Sequence, residues 1–414
     1  MARPKQHGSG LPLILAAIAL TVASAAALAL SASSTEQHRQ RASDRVLAQA
    51  REALLAYAAD RPIDARVGPG YLPCPDLDDD GWAEATCGSL SGHLGQEQRL
   101  GRLPWKTLGL PDLRDGHGER LWYAVSTRYK GLLNCAASRA CVDMTPPVAL
   151  GTITVRDAAG HALYDGTLGD PARAAAGGVA AVVLAPGPAL RRREGHEQRR
   201  DCAPGQCDGR GRCLAEPPRL AARCDPRNYL DSTATEDNAG FHDRSDEAGR
   251  TGNADGFIQG PVAAQGRVEV NDRVAVIAYG EVMARVMSRV AVELAHCLHT
   301  GEAVPPDDPC AASPALGRVN ETALGSSCSA GPEDPGWWRA WRPHVLQAQA
   351  GPEGLEVVDS DGRRLGRGKR FAVVVTKEAG SCARGRVECG ATGCVRAVQP
   401  PRRAAGYDAL ATSP

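Results

Sequence analysis

LPLILAAIALTVASAAALALSASSTEQHRQRASDRVLAQAREALLAYAA (residues 11–59) decides how the rest of the chain is read. Residues 11–30 are an apolar run of Leu, Ile, Ala and Val, preceded by Arg3 and Lys5. About 20 such residues at ~1.5 Å each match a bilayer core, so a transmembrane segment is predicted there. Positive charge on the short N-terminal side predicts residues 1–10 in the cytoplasm and everything after Leu30 outside it. Small residues at Ala27 and Ala29 leave a second reading open, a cleaved secretory signal. From Leu13 to Arg61 there is neither Gly nor Pro, which predicts that the helix continues through residues 31–61. Val46, Ala50, Leu54 and Ala58 recur every fourth residue, with Leu47 and Leu55 beside them, so one stripe can pack on a globular body. One helix of about 70 Å would result.

The chain beyond this helix is of a kind that needs covalent support. Aromatic residues make up 4% of the chain, against 46 Gly and 29 Pro, which predicts small, loop-rich units with Val, Leu and Ala cores. Fourteen cysteines are available: Cys74, Cys87, Cys135, Cys141, Cys202, Cys207, Cys213, Cys224, Cys297, Cys310, Cys328, Cys382, Cys389 and Cys394. They form no pair of C-x-x-C knuckles, so disulfides in an oxidising compartment are expected rather than a zinc ribbon; the connectivity stays open. Lys plus Arg and Asp plus Glu both number 48, which gives no electrostatic reason to expect nucleic acid as a partner.

Along the chain, residues 62–188 read as a first α+β head. It contains YLPCPDLDDDGW (71–82), an alternating run TITVRDAAGHAL (152–163) and a continuous apolar run VAAVVLAPG (179–187) that suits a strand buried on both faces. Residues 189–260 turn to Arg, Asp, Gly, Pro and Cys and read as an irregular Cys-rich insertion. A strand and second helix come next in 261–300, with Val282, Val286, Val290, Leu294 and Leu298 in one row, then a second α+β unit in 301–400 and a flexible tail, 401–414. Because LEVVDSDGRRL (355–365) and FAVVVTKEAG (371–380) parallel the two runs of the head, a tandem duplication is inferred, with chance similarity of common α+β ingredients as the alternative.

ALLAYA (53–58), LPCPD (72–76), the D-x-D-x-D-G loop, LPWKTLGL (103–110) and ERLWYAVS (119–126), with DGFIQGPV (255–262) and NDRVAVIAYGEVM (271–283), resemble proteobacterial pilin-like proteins related to type IV pilus and type II secretion subunits. The resemblance covers roughly residues 1–300. It implies a long helix leading into a small antiparallel-sheet head, inner-membrane insertion, other pilin-like subunits as partners and no catalysis. It also implies processing after a glycine, Gly8 or Gly10 here. The family's Glu at the fifth mature position is missing, since Leu13 or Leu15 stands there, which favours a minor or tip subunit over a shaft subunit. The alternative is a stand-alone anchored binding protein or adhesin of the cell envelope.

Asp76, Asp78 and Asp80 before Gly81 place three carboxylates on one tight turn, where calcium can take oxygen ligands, and Glu84 falls at the ninth loop position. The twelfth is Cys87, so the closing Glu of an EF-hand is absent; a solvated acidic turn is the alternative. His296 and His299 beside Cys297 suggest metal or, more simply, packing. Trp337, Trp338 and Trp341 suggest core anchors rather than a stacking patch. No G-x-S-x-G elbow, phosphate loop or H-E-x-x-H occurs.

Overall fold

The computed structural model describes residues 10–60, 70–85, 87, 99–126, 129, 151–166, 177–193, 195–198, 200, 225–240, 255–264, 266–299, 307–310, 313–319, 341–349, 355–358, 364–369, 371–375, 394–396 and 409–412. Only the backbone is described for residues 10–19, 21–32, 255, 293, 295–299, 307–310, 313–317, 343, 348–349 and the strands from 355 onward.

Helix α1 runs unbroken over Gly10–Asp60, 51 residues. Pro12 is tolerated because it stands in the first turn, whose N–H groups have no intrahelical acceptor. Residues 33–35 and 37–41 are exposed. Burial begins at Ser43 and continues through Leu47, Ala50, Leu54, Leu55 and Ala58. Their spacing of three and four residues keeps them on one face.

Among the described residues no helix is long and apolar enough to cross a membrane. This corrects the expectation of a transmembrane segment at 11–30, and with it the expected single-pass inner-membrane location. Of that segment only Leu20 has a described side chain. In the described remainder of α1, Glu36, Arg39, Arg41, Asp44, Arg45, Arg51 and Glu52 recur within every turn or two. Each charge costs roughly 3 kcal/mol at a bilayer centre, and the apolar positions are committed to a one-sided stripe against protein.

Strands β1 (Leu100–Arg102), β2 (Trp122–Val125), β3 (Ile153–Arg156), β4 (Ala162–Tyr164), β5 (Ala181–Ala185), β6 (Asp255–Ile258), β7 (Val262–Ala264), β8 (Arg267–Val270) and β9 (Arg273–Ile277) precede helix α2 (Tyr279–His299). After α2 come β10 (Asp307–Cys310), β11 (Ser313–Arg318), β12 (Val345–Gln349), β13 (Leu355–Val358), β14 (Arg364–Lys369), β15 (Phe371–Val375), β16 (Cys394–Arg396) and β17 (Ala409–Thr412). The described strands form five sheets, and two of them mix directions, with β3 parallel to β6 and β13 parallel to β16. The expected fold class, a transmembrane helix leading into a small antiparallel-sheet head followed by a Cys-rich insertion and a second similar α+β unit, is therefore corrected in its spanning helix and its purely antiparallel head. Parallel pairs need long connections, and β6 reaches β3 (Ile153 opposite Asp255) from within residues 189–260, which look irregular in sequence.

The two halves repeat one topology. Antiparallel order β1-β2-β5-β9 recurs as β11-β12-β15-β17, with β10 added outside, and the mixed order β4-β3-β6 recurs as β14-β13-β16. The registers correspond across all four strands. Arg102, Trp122, Leu184 and Val274 lie in line in the first sheet. Arg318, Leu346, Val374 and Leu410 do so in the second. Leu-Gly-Arg stands at the same place in each, at 100–102 and 316–318. Helix α1 packs on β5, β9 and α2, whereas α2 packs on β15 and β17.

The first sheet is covered on both faces. Tyr123, Val125, Val183 and Ile277 point into a core shared with the α1 stripe and with Val282, Val286, Val290 and Leu294 of α2. Trp122, Ala124, Val182 and Leu184 alternate to the other side, against Ile153, Val155, Phe257 and Tyr229. Such double coverage accounts for the unbroken apolar run of β5. At the rim, Arg51 donates to the Val276 carbonyl at 3.0 Å and pairs with Glu281, and Arg285 meets Glu52 at 2.7 Å, tying α1 to β9 and α2.

Candidate metal centre

Between α1 and β1 the chain folds into an acidic loop closed by one covalent bond. Cys74 and Cys87 form a disulfide with a sequence separation of 13, so the whole D-x-D-x-D-G run and Glu84 lie inside its ring. Backbone pairing of Asp76 with Arg102, at 3.0 and 2.7 Å, fixes the entry of the loop to β1. Cys87 occupies the position at which an EF-hand places its closing Glu, and the disulfide there supplies a geometric closure instead.

The loop is wound around its own carboxylates. Asp76, 1% exposed, accepts from the Gly81 N–H at 2.8 Å and from Asp80 N at 3.2 Å. Asp78 accepts from Asp80 N at 3.2 Å, and Asp80 from Trp82 N at 2.7 Å. Gly81 has φ +92°, and a Cβ there would lie 2.7 Å from the Trp105 ring, so this position admits glycine alone without strain.

Three of the family-like motifs converge here. From LPWKTLGL, Lys106 donates to the Asp80 carbonyl and Thr107 accepts from Ala83 N at 2.7 Å. Arg120, from ERLWYAVS, binds the Asp79 carboxylate at 2.6 Å and Asp112 at 2.9 Å. From the same motif, the Tyr123 hydroxyl donates to the Pro73 carbonyl of LPCPD at 3.0 Å.

Ligand atoms of Asp76, Asp78 and Asp80 all lie within 4.8 Å of one another. Glu84 is not in that close group; it accepts from Leu77 N at 3.3 Å. Asp79 is turned away from the trio, inward to Arg120, with its side chain 1% exposed. Its φ of +63° allows this reversal. Burial, with the charges of Asp79, Asp78 and Asp80 added, pushes the Asp76 carboxyl up to about 7, against the lowering effect of the Gly81 N–H. Glu84 is likewise raised, by burial first and then by Asp78 and Asp80. Three hard oxygen donors brought this close fit calcium chemically: Asp76, Asp78 and Asp80 would hold it, with Glu84 at the rim. Bound there, it would neutralise the crowding.

Other expected site residues fall elsewhere. Gly8 and Cys135, Cys141, Cys202, Cys207, Cys213, Cys224, Cys328, Cys382 and Cys389 lie outside the described residues, as do Trp337 and Trp338. Gly10 is the first residue of α1. Cys297, His296 and His299 sit in the last turns of α2, and Cys310 and Cys394 in strands, with their side chains not described. Trp341 is fully buried, as a core anchor.

A second polar cluster has no metal-ligand or catalytic spacing in the sequence, although Asn271 and Asp272 open the NDRVAVIAYGEVM stretch. Asp231 and Asp272, each 0% exposed, accept hydrogen bonds, Asp231 from the Gln198 amide and Asn271 N, Asp272 from the Asn238 amide. The sole signal in the sequence is Asn271-Asp272, two polar residues immediately before a buried strand. Compared with models of known protein families, with curated proteins and with solved structures, the chain matches none.

Proposed function

We propose that the chain is a non-catalytic, pilin-like structural subunit of a type IV pilus-like or type II secretion-like assembly, with a calcium-held loop bracing its head. The observation that carries this reading is helix α1: its backbone stays helical for 51 residues, and among its described side chains those at 33–35 and 37–41 are exposed while burial on the head starts at Ser43. An exposed helical stem on a compact, disulfide-closed head is the form of a part that packs against its neighbours through the stem. The acidic loop supports the same reading. It is braced by the disulfide and by Lys106, Thr107 and Arg120, so cation binding there would stiffen the head.

The test is a photo-crosslinking residue placed at Gln37 or Arg41, both exposed, in the cell that makes the protein. Crosslinks to a second copy or to another pilin-like subunit are expected from these positions and not from Trp82 on the head. Crosslinks from Trp82 alone would overturn the stem as the assembly handle and favour a binding protein that acts through its head.

A further inference from the structure

Residues 225–240 lie over the second face of the first sheet, where Tyr229, Leu230 and Ala239 complete the core. The Arg102 guanidinium lies over both the Tyr229 and the Trp122 ring, 3.9 and 4.2 Å from their centroids. This segment is fastened to the chain just ahead of β9 by two carboxylates, each taking hydrogen bonds from across the seam. Asp272 accepts from Asp231 N and from the Asn238 amide, both at 2.8 Å. Asp231 accepts from Asn271 N at 2.7 Å and the Gln198 amide at 2.8 Å. Asn238 extends the seam to β6, exchanging bonds with Ile258 at 2.8 and 3.0 Å.

All four of these donors are uncharged, and both residues are 0% exposed. The other oxygen of Asp272, Oδ1, is buried and meets no hydrogen-bond partner among the described residues. The charged groups bearing on Asp272 are Asp231 across the seam and Arg200 from residues 187–200. Arg200 is engaged by the Gly187 carbonyl at 2.6 Å and Glu119 at 3.3 Å. Around them, Arg192 pairs with Asp237, Arg193 with Glu269, and Arg273 with Asp44 of α1. Two carboxylates sealed from water, with neutral donors and no cation in direct contact among the described residues, cannot both carry charge at low cost.

We propose that a proton retained on the Asp231–Asp272 pair is the latch that holds residues 225–240 on the sheet, and that rising pH opens this latch. The proton sits on Asp272, whose unpartnered oxygen is the one free to carry it. Burial, followed by the charge of Asp231, drives that carboxyl well above the usual carboxylate range; burial raises Asp231 only to about 6. A group with a raised pKa in the closed state gives its full stabilisation below the ordinary carboxylate value. That stabilisation is lost as pH climbs towards the closed-state value, a tenfold fall in the closing constant per pH unit for one proton. Opening would withdraw Tyr229 from Arg102 and Trp122 and bare the part of that face not covered by β3 and β6.

Hydrogen exchange of residues 225–240, followed by mass spectrometry on the full chain from pH 5 to pH 9 and corrected for intrinsic exchange, tests this. Protection in the native chain should fall steeply with pH, approaching tenfold per unit. In Asp272→Asn, whose amide keeps the acceptor and stands in for the protonated oxygen, protection should stay level. Parallel profiles, or a level native profile, overturn the latch. Should Asp272→Asn not fold, the infrared spectrum of the native chain over the same pH range decides: a carboxylic-acid band should outlast the ionisation of Asp231 at about 6 and of Asp76 at about 7, and fade in step with the protection of residues 225–240. A band that is gone once Asp76 has ionised, while residues 225–240 stay protected, overturns the proposal. Neither readout depends on the stem or on assembly.

Discussion

The acidic loop and the buried pair meet the same physical problem, carboxylates forced together, at opposite depths in the first unit. In the loop, Asp78 and Asp80 are exposed while Asp76 is buried, so a cation from solvent can reach all three. At Asp231 and Asp272 both side chains are sealed, and the counter-charge has to be one that leaves no volume, a proton. Exposure decides which counter-charge is available: water-facing carboxylates exchange ions, and buried ones titrate. The loop is therefore expected to respond to calcium and the pair to pH, and each can be tested against the other.

The largest expected effect separates the two through Asp76. Its folded-state value of about 7 stands above the ordinary 3.8. The metal-free loop therefore has its full stability near pH 4 and loses it as pH rises to about 7, by at most roughly 4 kcal/mol. Asp76→Asn removes that loss: without calcium it should melt at a higher temperature than the native chain at pH 8 and equally at pH 4. The order should reverse in saturating calcium. Calorimetric calcium titrations of the native chain should show affinity falling about tenfold per pH unit below pH 7 as the proton competes. Calcium affinity independent of pH between 5 and 7 would remove Asp76 from the ligand set.

Next in size is the disulfide. Replacing both Cys74 and Cys87 by Ser frees a ring closed over a separation of 13. A ring of that order is worth about 3 kcal/mol in the chain-entropy account, read from the denaturant midpoint. Calcium should recover part of the loss, since the cation ties together the same residues, and should recover nothing in a variant that also carries Asp78→Ala. Gly81→Ala comes next at about 2 kcal/mol, because the left-handed backbone and the approach to Trp105 both oppose a Cβ. Gly118→Ala has a similar φ of +86° but open space, and should cost about half as much.

Legibility in the sequence tracks the range of the interactions. The D-x-D-x-D-G run is legible because its geometry is local: the bonds among Asp76, Asp78, Asp80 and Gly81 span five residues or fewer. The stripe Leu47, Ala50, Leu54 and Ala58 is legible for the same reason, being set by helical periodicity. The inward turn of Asp79 is not, since its partner Arg120 lies 41 residues away. The Asp231–Asp272 seam is equally remote in sequence, with two unremarkable acids 41 residues apart. The parallel pairs β3–β6 and β13–β16 escape a reading based on local alternation, which detects hairpins and not returns over long connections. At 11–30 hydropathy alone suggests a membrane span, whereas the described residues include no helix long and apolar enough for one.

The smallest effect sharpens the comparison most directly. Trp82 is 56% exposed at the rim of the acidic loop, and its backbone N–H, not its ring, is the part that binds Asp80. Trp82→Ala should therefore leave the denaturant midpoint within about 0.5 kcal/mol of native and calcium affinity unchanged, because the backbone donor survives the substitution. Its fluorescence should be lost as a reporter all the same. In the native chain calcium would draw Asp80 towards the ion and shift the Trp82 emission, while a pH rise above 8 in saturating calcium, where Asp76 is already ionised, would leave that emission alone and change exchange at 225–240. A native chain in which both signals move together under calcium alone would show that loop and pair are coupled through β1 and β2, and that the division of labour between cation and proton is wrong.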